Sequence, residues 1–238
     1  MQKVFAKKLK DNTFSFYEDD IYHLIKVLRT KIGDEIICVY EQNKYLCKIS
    51  SLEPFLAEIK NEVKVLDQDY TIDLFQAIIK PKSFELIFKK SIELNTTNFY
   101  PVVFSRSQTN LIKELRLNNL SKVCSSQANR DNLMNIYDPL DFNELLLKLK
   151  SNNYDLIILP YEKENQNYLK HSDFDLDTKK VALVVGPEGG FTNEEIKQLQ
   201  ELQNLKLISL TKTILRSETA SIYALAIINN FLLCKGQK

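Results

Sequence analysis

Three of the chain's five glycines fall within five residues: Gly186, Gly189 and Gly190, in the loop VGPEGGF that follows the apolar run VALVV. Glycine normally makes up about 7% of a globular chain, and a sequence this sparing with it spends three where left-handed torsions or a ligand against bare backbone would require them. Open α/β sheets bind ligands beyond the carboxyl ends of their strands, so this loop is the first candidate for a site. Its spacing is neither G-x-G-x-x-G nor G-x-x-x-x-G-K-[ST], which supports neither a dinucleotide turn nor a phosphate-cradling loop. The next apolar run, LKLISL, leads into TKTILRSETA and brings Arg216 and Glu218 to the start of a final helix. A carboxylate at a helix start is favoured by the helix dipole, which gives Glu218 a structural reading. Arg216 has no such duty and reads as a candidate for holding negative charge.

Other chemistries lack raw material. Two histidines, His23 and His171, leave little for a Ser-His-Asp triad or a multi-histidine metal centre. Cys38, Cys47, Cys124 and Cys234 are widely spaced with no C-x-x-C pair, so no metal is expected. The longest apolar run, Ala220 to Ile228, is far short of a membrane span, and the first residues have no apolar signal region, so a cytoplasmic address is the default reading. The formal net charge of +1 hides an uneven distribution. Residues 80–130 hold nine Lys or Arg (Lys80, Lys82, Lys89, Lys90, Arg106, Lys113, Arg116, Lys122, Arg130) against three acids, and residues 138–177 hold nine acids against four lysines. A clustered basic stretch suits a polyanionic partner, although any one of these lysines also reads as a solvated surface charge.

The elements that must position these residues follow from periodicity. Up to residue 69 the chain reads as short strands, EIICVY, YLCKIS and NEVKVL, with EQNK as a hairpin loop and Gly33-Asp34 as a turn. A helix is expected at His23–Arg29 from the spacing of Leu24, Val27 and Leu28. From residue 70 strands alternate with helices, as in a largely parallel α/β sheet. The expected strands cover 72–79, 101–105, 154–160, 181–186 and 205–210. Phe84, Ile87, Phe88, Ser91 and Ile92 recur at helical spacing, with Asn95 as the stop. Thr192 and Glu195 form a capping box, and a last helix begins near Thr219.

LVVGPEGGFTNEEI at 183–196 and LTKTILRSETA at 210–220 together resemble the RsmE family of ribosomal RNA small-subunit methyltransferases, within the SPOUT class. Further matches are His23 to Arg29 (H-x-x-x-V-L-R), Lys90 to Leu94 (K-S-I-E-L), Ser105 to Ser107 (S-R-S), and Gln127 with Arg130, so the resemblance spans nearly the whole chain. It implies a PUA-like RNA-binding β-barrel over 1–69 and an α/β domain with a trefoil knot over 70–238, assembled as a homodimer. It also implies S-adenosylmethionine as cofactor, enclosed by Leu159-Pro160, by Gly186, Pro187, Glu188, Gly189 and Gly190, and by Leu210, Thr211, Ile214, Leu215, Arg216, Thr219 and Ala220. The implied reaction methylates ring nitrogen 3 of a uridine near the decoding centre of 16S ribosomal RNA, free or in the small subunit. Arg216 is then the candidate for stabilising charge on uracil, with Glu188 or Glu218 as proton acceptor. Arg29, Arg106 and Arg130 are expected phosphate contacts and Gln127 an RNA contact, while His23 is either a base or phosphate contact or a packed histidine. Thr211, where the family usually has glycine, and Ser126, where it usually has an acid, depart from the pattern. Rival readings are another SPOUT RNA methyltransferase with a different target, or a non-catalytic RNA-binding assembly factor that keeps the fold.

Overall fold

Short strands with one buried face dominate the first part of the chain in the computed structural model, which describes residues 2–41, 43–64, 69–107 and 114–234. The strands are β1 (Gln2–Phe5), β2 (Lys8–Lys10), β3 (Thr13–Ser15), β4 (Glu35–Tyr40), β5 (Asn43–Leu52) and β6 (Phe55–Val63). Their order in the sheet is β1-β4-β5-β6-β3-β2. Only Ala6 and Lys7 separate β1 from β2, yet these strands occupy opposite ends of that order. The Ala6 amide donates to Val39 O (2.9 Å) and the Lys7 amide to Ser15 O (2.8 Å). Adjacent residues can bond to strands near opposite ends of a sheet only if the sheet curls so that its two edges approach each other. Phe14, Leu24, Ile36, Cys38, Cys47, Ile49 and Ala57 fill the curl. The helix in this region begins earlier than the apolar spacing indicates: α1 (Glu18–Tyr22) runs into a π-helical turn, His23–Val27, pinned by buried Leu24. The strand expected at NEVKVL instead begins at Phe55, because Phe55 and Ala57 are buried in alternation after the turn at Pro54.

The second part of the chain alternates as expected. Strands β7 (Thr71–Ala77), β8 (Asn98–Val102), β9 (Asn135–Ile136), β10 (Leu156–Pro160), β11 (Lys180–Val185) and β12 (Leu205–Ile208) form a parallel sheet in the order β12-β10-β11-β7-β8-β9. Runs such as VALVV are buried along their whole length, as sheets covered on both faces require. Helix α2 (Pro81–Glu93) starts at its proline and buries Phe84, Ile87, Phe88, Ser91 and Ile92, and Asn95 beyond it is left-handed (φ 61°). Helix α3 spans Glu114–Gln127, and α4 (Phe142–Ser151) and α5 (Asn193–Gln200) each open on a capping box. Helix α6 spans Ser217–Cys234.

Contacts divide the chain into two units: Met1–Asp67 with Lys122–Leu133, and Gln68–Ser121 with Met134–Lys238. Lys122–Leu133, within the sequence range of the second unit, thus makes its contacts with the first. Four features hold that segment there. Asp131 is bracketed by the ammonium groups of Lys3 and Lys44, Lys3 Nζ also donates to Asn129 O (2.7 Å), and Ser126 Oγ donates to Lys3 O (2.6 Å). Lys122 Nζ lies 3.8 Å from the centre of the Tyr17 ring, a cation–π contact. Burial pushes the Asp131 carboxyl up, but the two lysines outweigh it and hold the group below the ordinary range. No spacing signal in the sequence links position 131 to positions 3 and 44.

Candidate active site

Because β12, β10, β11 and β7 are neighbours in one parallel sheet, their carboxyl ends stand side by side, about 5 Å apart from strand to strand. The loops that leave them are tied together. Tyr161 N, after β10, donates to Ile208 O at the end of β12 (2.9 Å), and Ser209 N donates to Asn167 O (2.8 Å). Ser217, the first residue of α6, donates its hydroxyl to Gly186 O (2.8 Å) and accepts from Gln76 Nε2 (3.2 Å). Ser221 Oγ lies 2.5 Å from Gln76 Oε1. Gln76, Ser217 and Ser221 are all buried, so this is a satisfied polar node inside the core, of the kind that fixes geometry. It clamps the glycine loop to the start of α6. Arg216 and Glu218 flank Ser217 directly, so both are held at that junction, Arg216 exposed and Glu218 half-buried.

The glycines themselves answer to the protein's own atoms. A Cβ at Gly186 would stand 2.7 Å from Phe191 Cε2 and 2.8 Å from Cζ. Gly190 has φ +68° and would meet Glu162 Oε1 at 2.8 Å, and Gly189 lies against the Arg106 side chain, 3.3 Å from its Cβ. The loop thus folds back on Phe191, Glu162 and Arg106, whose atoms leave little space for Cβ atoms there. Phe191 is held edge-on against Phe104 (centroids 5.1 Å apart, 86°). Arg106, expected at an RNA phosphate, uses Nη1 to donate to Gly189 O (2.8 Å) and Phe191 O (3.3 Å) and so braces the loop. Glu195 completes the frame. One carboxylate oxygen accepts from Thr192 N (2.7 Å) in the expected capping box, and the other reaches Ser105 N (2.9 Å) in the loop after β8. Burial raises its pKa, yet the donated amides outweigh burial and hold the carboxyl low.

Of the other candidate residues at the strand ends, Leu159 and Pro187 are buried and Pro160 closes β10. Glu188, Gly189 and Thr219 are exposed, Leu210 and Leu215 half-buried, and Ala220 buried. Ile214 is 81% exposed, an apolar side chain standing out of this rim. Thr211 turns its hydroxyl back onto Thr213 O (2.6 Å), which accommodates a side chain where the family pattern has glycine. His23, Arg29, Gln127 and Arg130 all belong to the first unit. His23 and Gln127 are exposed, so the packed reading of His23 is dropped, and Arg29 is exposed with φ 53°. Several cations of the stretch 80–130 are paired within the chain: Lys89 and Lys90 with Glu85 and Glu93 along α2, and Lys122 with the Tyr17 ring, while Lys113 lies outside the described residues. Among the described residues no group of acidic, histidine and cysteine side chains could hold a metal, and no helix is long and apolar enough to cross a membrane.

Sequence reasoning missed Gln76, Ser217, Ser221 and Phe191. A signal existed for the first three: a glutamine inside the apolar strand IDLFQAII, and serines four apart at the start of a largely apolar helix, are polar groups that must find partners when buried.

Comparison with known proteins matches residues 67–229 to a family described as RNA methyltransferase domain and residues 16–60 to one described as RNA methyltransferase PUA domain. The chain is 30% identical to the ribosomal RNA small subunit methyltransferase E of Rickettsia conorii, over 93% of this chain and 91% of that protein. It is 28% identical to the protein of the same name from Mesomycoplasma hyopneumoniae, over 94% and 97%. Among solved structures, the ribosomal RNA small subunit methyltransferase E of Neisseria gonorrhoeae bound to S-adenosyl methionine superposes with a TM-score of 0.80 at 24% identity, covering 97% of each chain.

Proposed function

The chain belongs to the ribosomal RNA small subunit methyltransferase E family of RNA methyltransferases, and from that premise we propose that it transfers a methyl group from S-adenosylmethionine to ring nitrogen 3 of one uridine in 16S ribosomal RNA. The observation that carries the reading is the Ser217–Gly186 hydrogen bond, which holds Arg216 and Glu218 beside the glycine loop. The residues fit the cofactor: three adjacent strand-end loops offer backbone at Gly186 to Gly190, the outstanding Ile214, and half-buried Leu210 and Leu215, the mixture of main-chain polar groups and apolar surface that a purine nucleoside needs. Leu159 and Pro160 would form its far wall. When bound, S-adenosylmethionine supplies an electrophilic methyl whose bonding electrons return to sulfur as the N–C bond forms.

The chain's own residues handle the uracil. Ring nitrogen 3 carries a proton, so Glu188 or Glu218 accepts it while Arg216 holds the negative charge that spreads onto the ring oxygens, and the rim aligns nitrogen with methyl. We further propose a threaded, knotted path for the strand-end loops, a PUA-like RNA-binding role for the first unit, and a cytoplasmic homodimer. The dimer reading is supported by α6, whose outer stripe carries exposed Tyr223, Ala226 and Leu233. Calorimetric titration with S-adenosylmethionine and its demethylated product tests the site: about one cofactor per chain is expected. No binding, with RNA affinity retained, would favour the assembly-factor reading.

A further inference from the structure

Four of the fourteen large apolar side chains that stand exposed among the described residues lie in eleven consecutive positions: Tyr22 (65% exposed), Val27 (59%), Leu28 (40%) and Ile32 (64%). The reason is the π-helical turn. Leu24 enters the core, with Ile21 and Ile25 packed against it. The wide turn, closed by Leu28 N donating to His23 O (3.0 Å), then presents Tyr22 and Val27 outward, five residues and about one π-turn apart. Basic side chains are interleaved: His23, Lys26, Arg29 and Lys31 are exposed, and no acid lies between Ile21 and Gly33. Glu18, Asp19 and Asp20 are confined to α1, and Asp34 caps the Lys31 amide (2.7 Å). Arg29 ends the turn in the left-handed region. Five of the seven other non-glycine residues in this region among the described residues are asparagines, Asn12, Asn95, Asn129, Asn153 and Asn204, as unstrained backbone prefers, the other two being Asp11 and Glu41. An arginine there keeps its side chain at a conformational cost, the mark of a side chain needed for something else.

Resting on the RNA methyltransferase reading, we propose that this segment is a stacking site for an unpaired base of the RNA substrate. Tyr22 supplies the ring, Val27 and Ile32 the apolar flank, and Lys26, Arg29 and Lys31 take the phosphates on either side. Ring nitrogen 3 lies on the pairing edge of uracil, so a methylatable uridine sits in opened RNA whose neighbouring bases are free to stack on aromatic side chains. Exposed aromatic surface interleaved with cations matches single-stranded RNA better than it matches a protein partner.

The test measures binding of a fluorescein-labelled single-stranded 16S ribosomal RNA fragment, and of a fully paired duplex of equal length, to wild type, Y22A, Y22F and R29G. Y22A is expected to weaken single-strand binding by roughly tenfold with the salt slope unchanged, since stacking is not electrostatic. Y22F is expected to stay within about twofold because it keeps the ring. R29G is expected to lower the salt slope by about one. Duplex binding is expected to be unchanged in Y22A, and so is S-adenosylmethionine affinity. Wild-type affinity in Y22A, or equal losses on duplex and single strand, would overturn the stacking site while leaving the methyltransferase reading standing. Loss of binding only to assembled subunits, with naked RNA bound normally, would overturn it in favour of a protein partner. A wild-type protein that binds neither RNA nor S-adenosylmethionine would instead remove the methyltransferase reading, and this proposal with it.

Discussion

Substituting Gly186 by alanine tests why the glycine loop is built as it is. The added Cβ would lie 2.7, 2.8 and 3.1 Å from three carbons of the Phe191 ring, whereas carbon atoms settle at about 3.5–4.0 Å. The ring must therefore recede by roughly 1 Å, and it has little room, being 4% exposed and lodged edge-on against Phe104. Overpacking of this kind costs about 1–3 kcal/mol. Leucine at position 191 lacks the two nearest atoms, so G186A is expected to cost close to nothing in the F191L background, an interaction energy of about 1–3 kcal/mol between the two positions. Urea unfolding of wild type, G186A, F191L and the double variant, at constant m-value, measures it. If instead G186A unfolds like wild type, or its cost is the same in both backgrounds, the glycine is not there for Phe191. A loss of S-adenosylmethionine binding without any loss of stability would return the explanation to the cofactor.

Other perturbations separate binding, catalysis and folding. R216K, which keeps the charge but loses the planar fork, is expected to lower the methylation rate constant by about 100-fold or more, with S-adenosylmethionine affinity by calorimetry moving far less. R29G is expected to raise stability by up to about 1 kcal/mol by relieving the left-handed torsion, visible as a higher urea midpoint, while RNA affinity falls. D131A leaves Lys3 and Lys44 without their shared carboxylate and is expected to cost about 2–4 kcal/mol, read by urea unfolding. Asp131 and Glu195 both have folded-state pKa values below their unfolded ones. The stability each contributes is fully present above its unfolded value, near pH 4, and is lost as pH falls through the folded value. An acid titration of wild type is expected to lose stability below about pH 4, and D131A is expected to lose less over that range; parallel curves would refute the assignment.

Periodicity carried the parallel sheet because buried strands such as VALVV and LIILP are continuous apolar runs, and α2 because its buried positions recur at helical spacing. It did not carry β1 to β3, three or four residues each, too short for a pattern to emerge, nor the start of β6, where Ala57, Glu58 and Lys60 have weak strand preference. The π-helical turn was invisible because its five-residue hydrogen bonding leaves Leu24 and Val27 at a spacing that also fits an α-helix. At the candidate site, glycine scarcity singled out the loop but not the atoms that crowd it. Which atoms crowd Gly186 depends on Phe191 folding back, a tertiary fact. Likewise the Thr192–Glu195 cap was legible as a local motif, but the reach of Glu195 to Ser105, ninety positions away, was not.

The most direct measurement is nucleoside mass spectrometry of unmodified 16S ribosomal RNA, free and assembled into the small subunit, after incubation with the protein and S-adenosylmethionine carrying a deuterated methyl group. The expected result is a single labelled N3-methyluridine per RNA molecule, much reduced with R216A. Label on a different nucleoside would contradict the uridine assignment, and no transfer to either form of the RNA would contradict the methyltransferase account as a whole.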